Sequence, residues 1–184
     1  MAFDENDLRR RMNGAINSLK DEFIGLRTGR ASTALLDTLK VDAYGSKMPI
    51  NQVASLSTPE ARLILIQVWD QSMVTGIEKS IRESDLGLNP QTEGSTIRIP
   101  IPELSEERRI ELVKVAGKYS EQAKVSIRNV RRDIIENIRK LEKDSSISED
   151  EKRDSENKIQ NITDEFVKEI DNMLAQKEQD IKSV

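Results

Sequence analysis

From Ser105 to about Lys143 the chain contains no proline, and its one glycine, Gly117, leaves the apolar repeat unbroken. A helix of that span runs about 60 Å at 1.5 Å per residue. Apolar or small residues recur at Val113, Ala116, Ser120, Ala123, Ile127, Val130, Ile134 and Leu141, in steps of three and four. That spacing is a heptad seam, interrupted by Asn137. Lys124, Arg128, Arg131, Arg132 and Arg139 fall on or near one adjoining face, because residues three and four apart are neighbours on a helix. A rigid rod carrying a guanidinium stripe suits a polyanionic surface.

Two further segments share the helical period. In the first, Leu8, Met12, Ala15, Leu19, Glu22 and Leu26 hold a heptad register, widened by Ile16 and Phe23, with Asp4 as N-cap and Gly29 as stop signal. The other begins at Ser148, where Glu151 completes a capping box. It carries Ile159, Ile162, Phe166, Ile170, Met173 and Ile181 on one side. Residues 144–147 make a tight connection between the second and third helices.

Residues 31–104 follow a different period. Leu39, Val41 and Ala43 alternate with polar residues, as in a half-buried strand. The run from Leu63 to Trp69 is nearly continuous apolar, which predicts a strand covered on both faces. A lone Trp at its end belongs in the core rather than on a stacking platform. Val74, Ile77 and Ile81 mark one short helix, ended by the turn residues Asp85–Pro90. Ile97, Ile99 and Ile101 alternate with Arg98, Pro100 and Pro102, and the prolines confine that strand to a sheet edge.

A lone amphipathic helix at the N-terminus cannot bury its stripe, so it is expected to join the two later helices. The predicted fold is α+β: a discontinuous, long three-helix bundle of residues 1–30 and 105–184, with a small β-rich α/β domain inserted at 31–104. Two short connections, near 29–32 and 102–105, join the parts and permit a hinge. Gly29, Arg30 and Ala31 form the first, and Pro102, Glu103 and Leu104 the second. Gly29 supplies backbone freedom, while Pro102 stiffens its crossing.

Charge is unevenly spread. Residues 105–143 carry eleven Lys+Arg against seven Asp+Glu, and residues 144–184 carry six against twelve, within a chain of net charge −4. The positive field therefore concentrates on one helix, and local field decides where a polyanion docks. Residues 31–104 carry six Lys+Arg against nine Asp+Glu, a balance better suited to a protein than to RNA. Helix three, rich in acids, is also an internal partner for the stripe, and Asp133 and Glu136 stand close enough to engage Arg132. The chain has no histidine and no cysteine. Disulfides, thiolate metal sites and the commonest general base are thereby excluded, and no pairing points to an enzyme. The acids at 149–151 suit a helix N-terminus, so no metal is expected there. With no apolar run of membrane-spanning length, a cytoplasmic protein is the expectation. The bundle can satisfy its own seams, so a monomer is the simpler state.

Four motifs in order, RTGRAS at 27–32, DLGLNP at 85–90, IRIPIPELSEERR at 97–109 and RNVRRD at 128–133, resemble the bacterial ribosome recycling factor family. The resemblance runs across nearly the whole chain. It implies an L-shaped pair of domains, the bundle and an inserted β/α/β domain, and a non-enzymatic translation factor without cofactor. Such a factor acts with elongation factor G and GTP to split the post-termination ribosome. It implies that Arg128, Arg131 and Arg132 contact 23S rRNA of the large ribosomal subunit, with Arg131 foremost and Lys124 beside them. Arg27 and Arg30, flanking the first hinge, would reach RNA from the end of the bundle. The rival expectation is a helical-bundle adaptor that binds proteins alone.

Overall fold

The computed structural model describes residues 2–26 and 29–183. They form two compact units, one of residues 1–26 and 110–179, the other of 27–109 and 180–184.

The first unit is built from three helices, α1 (Glu5–Gly25), most of α3 (Glu106–Lys143) and most of α4 (Glu149–Lys182). Asp4 caps α1 by accepting the N–H groups of Asn6 and Asp7. At the start of α4 the capping box is complete: Glu151 N–H donates to the Ser148 hydroxyl at 3.1 Å, and Ser148 N–H to the Glu151 carboxylate at 2.9 Å. The α3–α4 turn closes as a Schellman motif. Ser146 N–H donates to Leu141 O and Ser145 N–H to Glu142 O, with Ser145 left-handed at φ 57°.

The seams differ from a heptad. On α1 the buried residues are Leu8, Met12, Ile16, Leu19 and Phe23, spaced four, four, three and four. On α3, Leu112, Ala116, Ser120, Ala123 and Ile127 repeat that spacing before Ile134 and Ile138. A period longer than that of a heptad does not impose a left-handed supercoil. The buried stripe therefore drifts off the expected one: Val113 and Val130 are half-buried, Leu141 is exposed and Ile138 replaces it. Asn137 lies in solvent and interrupts nothing. α4 completes the core with Ile159, Ile162, Phe166 and Ile170. Helix α1 also ends earlier than Gly29 suggests, because Leu26 is already extended at ψ 114°.

The second unit places helix α2 (Val74–Arg82) with two antiparallel sheets. One is the hairpin β1 (Lys40–Ala43) and β2 (Ser46–Pro49); the other orders β3 (Ala54–Glu60), β4 (Leu63–Val68), β6 (Thr96–Pro100) and β5 (Gln91–Glu93) as β3-β4-β6-β5. One core joins them, including Val41, Ile64, Ile66, Ile77, Ile81, Ile97 and Ile99. Burying each such side chain stabilises the fold by about 2 kcal/mol.

Two expectations for this unit are corrected. Strand β6 is internal rather than an edge; the register with β5 stops at Arg98, so Pro100 lies beyond the last pairing on that side and its missing N–H breaks no bond there. Strand β4 is not covered evenly on both faces. Ile64, Ile66 and Val68 face the core, whereas Leu65 is half-buried and Gln67 exposed. Trp69 continues the Leu65–Gln67 side and is 63% exposed, so it is not a core residue. Its Nε1–H donates to the Ser55 hydroxyl at 3.0 Å.

Both chain crossings are tied to the β3–β4 turn. Ala31 N–H donates to Ala61 O at 2.7 Å and Ile101 N–H to Arg62 O at 2.8 Å. Gly29, at φ 76°, lies against Leu104, whose Cγ would stand 3.0 Å from a Cβ placed on Gly29. The Glu103 carboxylate meets the Arg62 guanidinium at 3.4 Å, and Pro102 and Arg30 are exposed.

Candidate nucleic-acid interface

The basic stripe of α3 is graded from the helix–helix seam outward. Closest to the seam, Lys124 Nζ stands 2.6 Å from Asp171 of α4, and only 19% of its side chain is accessible. Arg131 is half-buried and its Nη1 donates to Gln160 Oε1 of α4 at 3.0 Å. One step further out, Arg128 is exposed and donates to Glu121 at 3.1 Å along its own helix. Arg132 is also exposed, and its guanidinium bonds the Asn129 side-chain oxygen. Arg139 pairs with Glu156 of α4 at 3.1 Å.

This arrangement follows from the spacing. Residues 124, 131 and 139 fall on the flank turned to α4, whose acids and amides take them up. Asp133 falls on the opposite flank, where it accepts from Arg11 of α1 at 2.8 Å. Asp133 is therefore engaged elsewhere, and Arg132 bonds a neutral amide instead of the neighbouring acid the sequence offered. A guanidinium on a neutral acceptor keeps its charge uncompensated and most of its five donors available. Arg128 can exchange a solvent-exposed carboxylate for phosphate at little cost, since exposed ion pairs contribute about 0–1 kcal/mol. Lys124 is a helix–helix pin before it is a surface cation.

The α3 stripe thus brings Lys124, Arg128, Arg131 and Arg132 onto one helix. Arg30 lies in the other unit, and Arg27 lies outside the described residues. Among the described residues no helix is long and apolar enough to cross a membrane. What the sequence did not signal is the exposure of Trp69; the one cue was Gln67, a polar residue of the same strand parity.

A three-helix unit interrupted in sequence by a small α+β unit, with exposed guanidinium groups on its longest helix, defines the class of protein by its fold. Comparison with known proteins is specific. A profile of the ribosome recycling factor family matches residues 19–181. The ribosome-recycling factor of Methylobacterium radiotolerans is 58% identical over 182 residues, covering 99% of this chain and 97% of that protein. That of Rhodospirillum centenum is 58% identical over 181 residues, covering 98% of each. A solution structure of the ribosome recycling factor aligns with TM-score 0.78 at 47% identity, covering 97% of this chain and 95% of the other. A second structure describes the T. thermophilus ribosome recycling factor and the E. coli elongation factor G bound to the E. coli post-termination complex. It aligns with TM-score 0.66 at 45% identity, covering 96% of this chain and 95% of that one. The chain belongs to the ribosome recycling factor family.

Proposed function

We propose that this chain is a translation factor that, with elongation factor G and GTP, disassembles the post-termination ribosome so that its subunits, messenger RNA and transfer RNA are reused. The observation that carries the reading is likeness along nearly the whole chain, in sequence and in fold, to a factor solved beside elongation factor G on a post-termination complex. In this reading the protein works as a monomer in the cytoplasm. The bundle seats on the large ribosomal subunit, with Arg128, Arg131 and Arg132 on 23S rRNA and Arg27 and Arg30 as further contacts. Arg132 and Arg128 take the leading part, because their guanidinium groups are exposed while Arg131 is partly committed to Gln160. Bidentate arginine–phosphate contacts give such a seat its orientation as well as its affinity.

The crossings at Gly29–Ala31 and Pro102–Leu104 act as the hinge. The second unit moves about it when elongation factor G engages, and hydrolysis of GTP takes place on that partner. A light-scattering assay of subunit splitting, with and without elongation factor G and GTP, tests the reading. Splitting that requires the chain, elongation factor G and GTP together is expected. Post-termination ribosomes left whole under all three would overturn it.

A further inference from the structure

The solvent-facing line of α3 differs from the stripe that charge alone marks out. Lys124, Arg131 and Arg139 turn to α4, whereas Arg128 and Arg132 stay in solvent. Counted from Arg132 toward the N-terminus, steps of four, three, four, three and four reach Arg128, Val125, Glu121, Lys118 and Lys114, and all six are exposed. Those steps average the helical period, so the row runs nearly parallel to the axis. From 114 to 132 it covers about 27 Å at 1.5 Å per residue.

Two features of the row have no account within the bundle. Glu121, its one acid, stands three residues from Lys118 but pairs with Arg128 at 3.1 Å. Among the described residues, Lys114 and Lys118 therefore keep their charge without a hydrogen-bonding or ion-pairing partner. Like charges four residues apart repel on a helix, so the pair gives α3 nothing by itself. The second feature is Val125, which is 45% exposed. Its β-branched side chain is a poorer helix former than Ala, Lys or Glu, and so much exposure leaves little core burial to offset that. Val125 lies four residues after Glu121 and three before Arg128, in the middle of the cations.

The pattern selects the occupant. An RNA backbone alternates charged phosphate with ribose, whose carbon face carries no charge. RNA helices display those sugars across a wide, shallow minor groove, on which a rod can lie. A row of cations with one apolar side chain among them matches both parts of that backbone, and it is continuous with the exposed Arg128 and Arg132.

We infer that the RNA seat extends along α3 as far as Lys114, with Lys114 and Lys118 on phosphates and Val125 against a ribose. The inference rests on the recycling reading for the RNA, that of the large subunit, and on this helix's own residues for the row.

The test measures large-subunit binding by pelleting across a salt series. It compares wild type with the double variant Lys114→Ala/Lys118→Ala, with Val125→Ala, and with Lys168→Ala, an exposed lysine of α4 that lies off the row. The double variant should bind roughly tenfold or more weakly at low salt, and the dependence of log affinity on log salt should become shallower by about two. Val125→Ala should bind about threefold more weakly at every salt with an unchanged slope, because it removes apolar contact and no charge. Lys168→Ala should match wild type. Each change places the best helix former at an exposed position, so circular dichroism should show helicity kept. The same series on protein-free 23S rRNA should show the same losses; losses on intact subunits alone would overturn the inference in favour of an acidic ribosomal protein. A loss per lysine as large in Lys168→Ala would overturn it in favour of general charge. Wild-type binding by the double variant or by Val125→Ala, with wild-type splitting intact, would overturn the inference and leave the recycling reading standing. A wild type that binds no large subunit would overturn both.

Discussion

Lys124 keeps less than a fifth of its side chain in solvent, while Arg128, one turn away, is half accessible. Helical spacing alone placed both on one face, yet one group is tied to Asp171 across a helix–helix contact and the other only to a residue of its own helix. The stripe was legible in the sequence because charge and period are local properties. The division of labour within it was not, because it depends on which acids of α4 and α1 come opposite. Arg132 makes the point: adjacent Asp133 is drawn away by Arg11, and only the assembled bundle reveals that. We therefore expect Arg132→Ala to weaken large-subunit binding about tenfold, and to make the dependence of log affinity on log salt shallower by about one. Lys124→Met should instead leave that salt dependence nearly unchanged and cost about 1 kcal/mol in urea unfolding. Pelleting with isolated subunits across a salt series separates the two, and the reverse pattern would reassign both residues.

Between helices, the sequence revealed the caps better than the seams. Asp4, and Ser148 with Glu151, act where a four-residue signal predicts them, because capping is decided within one turn. The seam registers needed the partner helices: the preference for Ile138 over Leu141 and for Ile16 over Ala15 follows a buried stripe whose period is longer than a heptad's. In the second unit, the run Leu63–Trp69 concealed a two-faced strand, since a half-buried Leu65 and an exposed Trp69 look apolar in sequence. The turn after α3 offers a direct test at this scale. Ser145 holds φ 57°, where a Cβ costs about 1 kcal/mol. Ser145→Gly should relieve most of that and raise the unfolding midpoint, whereas an unchanged or lower midpoint would mean that the turn carries no such strain. The α1–α4 contact is also pH-dependent. Lys158 and Arg9 hold the Glu5 carboxyl below its ordinary value, Lys158 the more strongly. A depressed carboxylate contributes stability that is present above the unfolded pKa and is lost as pH falls through the folded one. Wild type should therefore lose more stability than Glu5→Gln between about pH 5 and pH 3. Parallel profiles from thermal unfolding would show that the ion pairs contribute nothing.

For the molecule as a whole, the question is what two adjacent crossings permit. Ala31 and Ile101 both donate to the β3–β4 turn, and Gly29 rests on Leu104, so the two connections are held together where they meet the second unit. In the proposed hinge, two tethers gathered at one place would oppose separation while leaving rotation about their common axis soft. Strong local anchoring and an undemanding pivot are both needed if arginines are to hold RNA while the second unit swings. Spin labels at Glu169 on α4 and Glu93 on β5, both exposed, place one probe in each unit. Double electron–electron resonance on the free protein should give a broad or multimodal distance distribution. It should narrow on the large subunit and shift again when elongation factor G and a non-hydrolysable GTP analogue are added. Substituting Leu104→Ala loosens the clamp at Gly29 and should broaden the free distribution further, with circular dichroism unchanged. A single narrow distance, the same free and bound and in wild type and Leu104→Ala alike, would mean that the crossings form a rigid joint, and the splitting motion would then have to arise elsewhere.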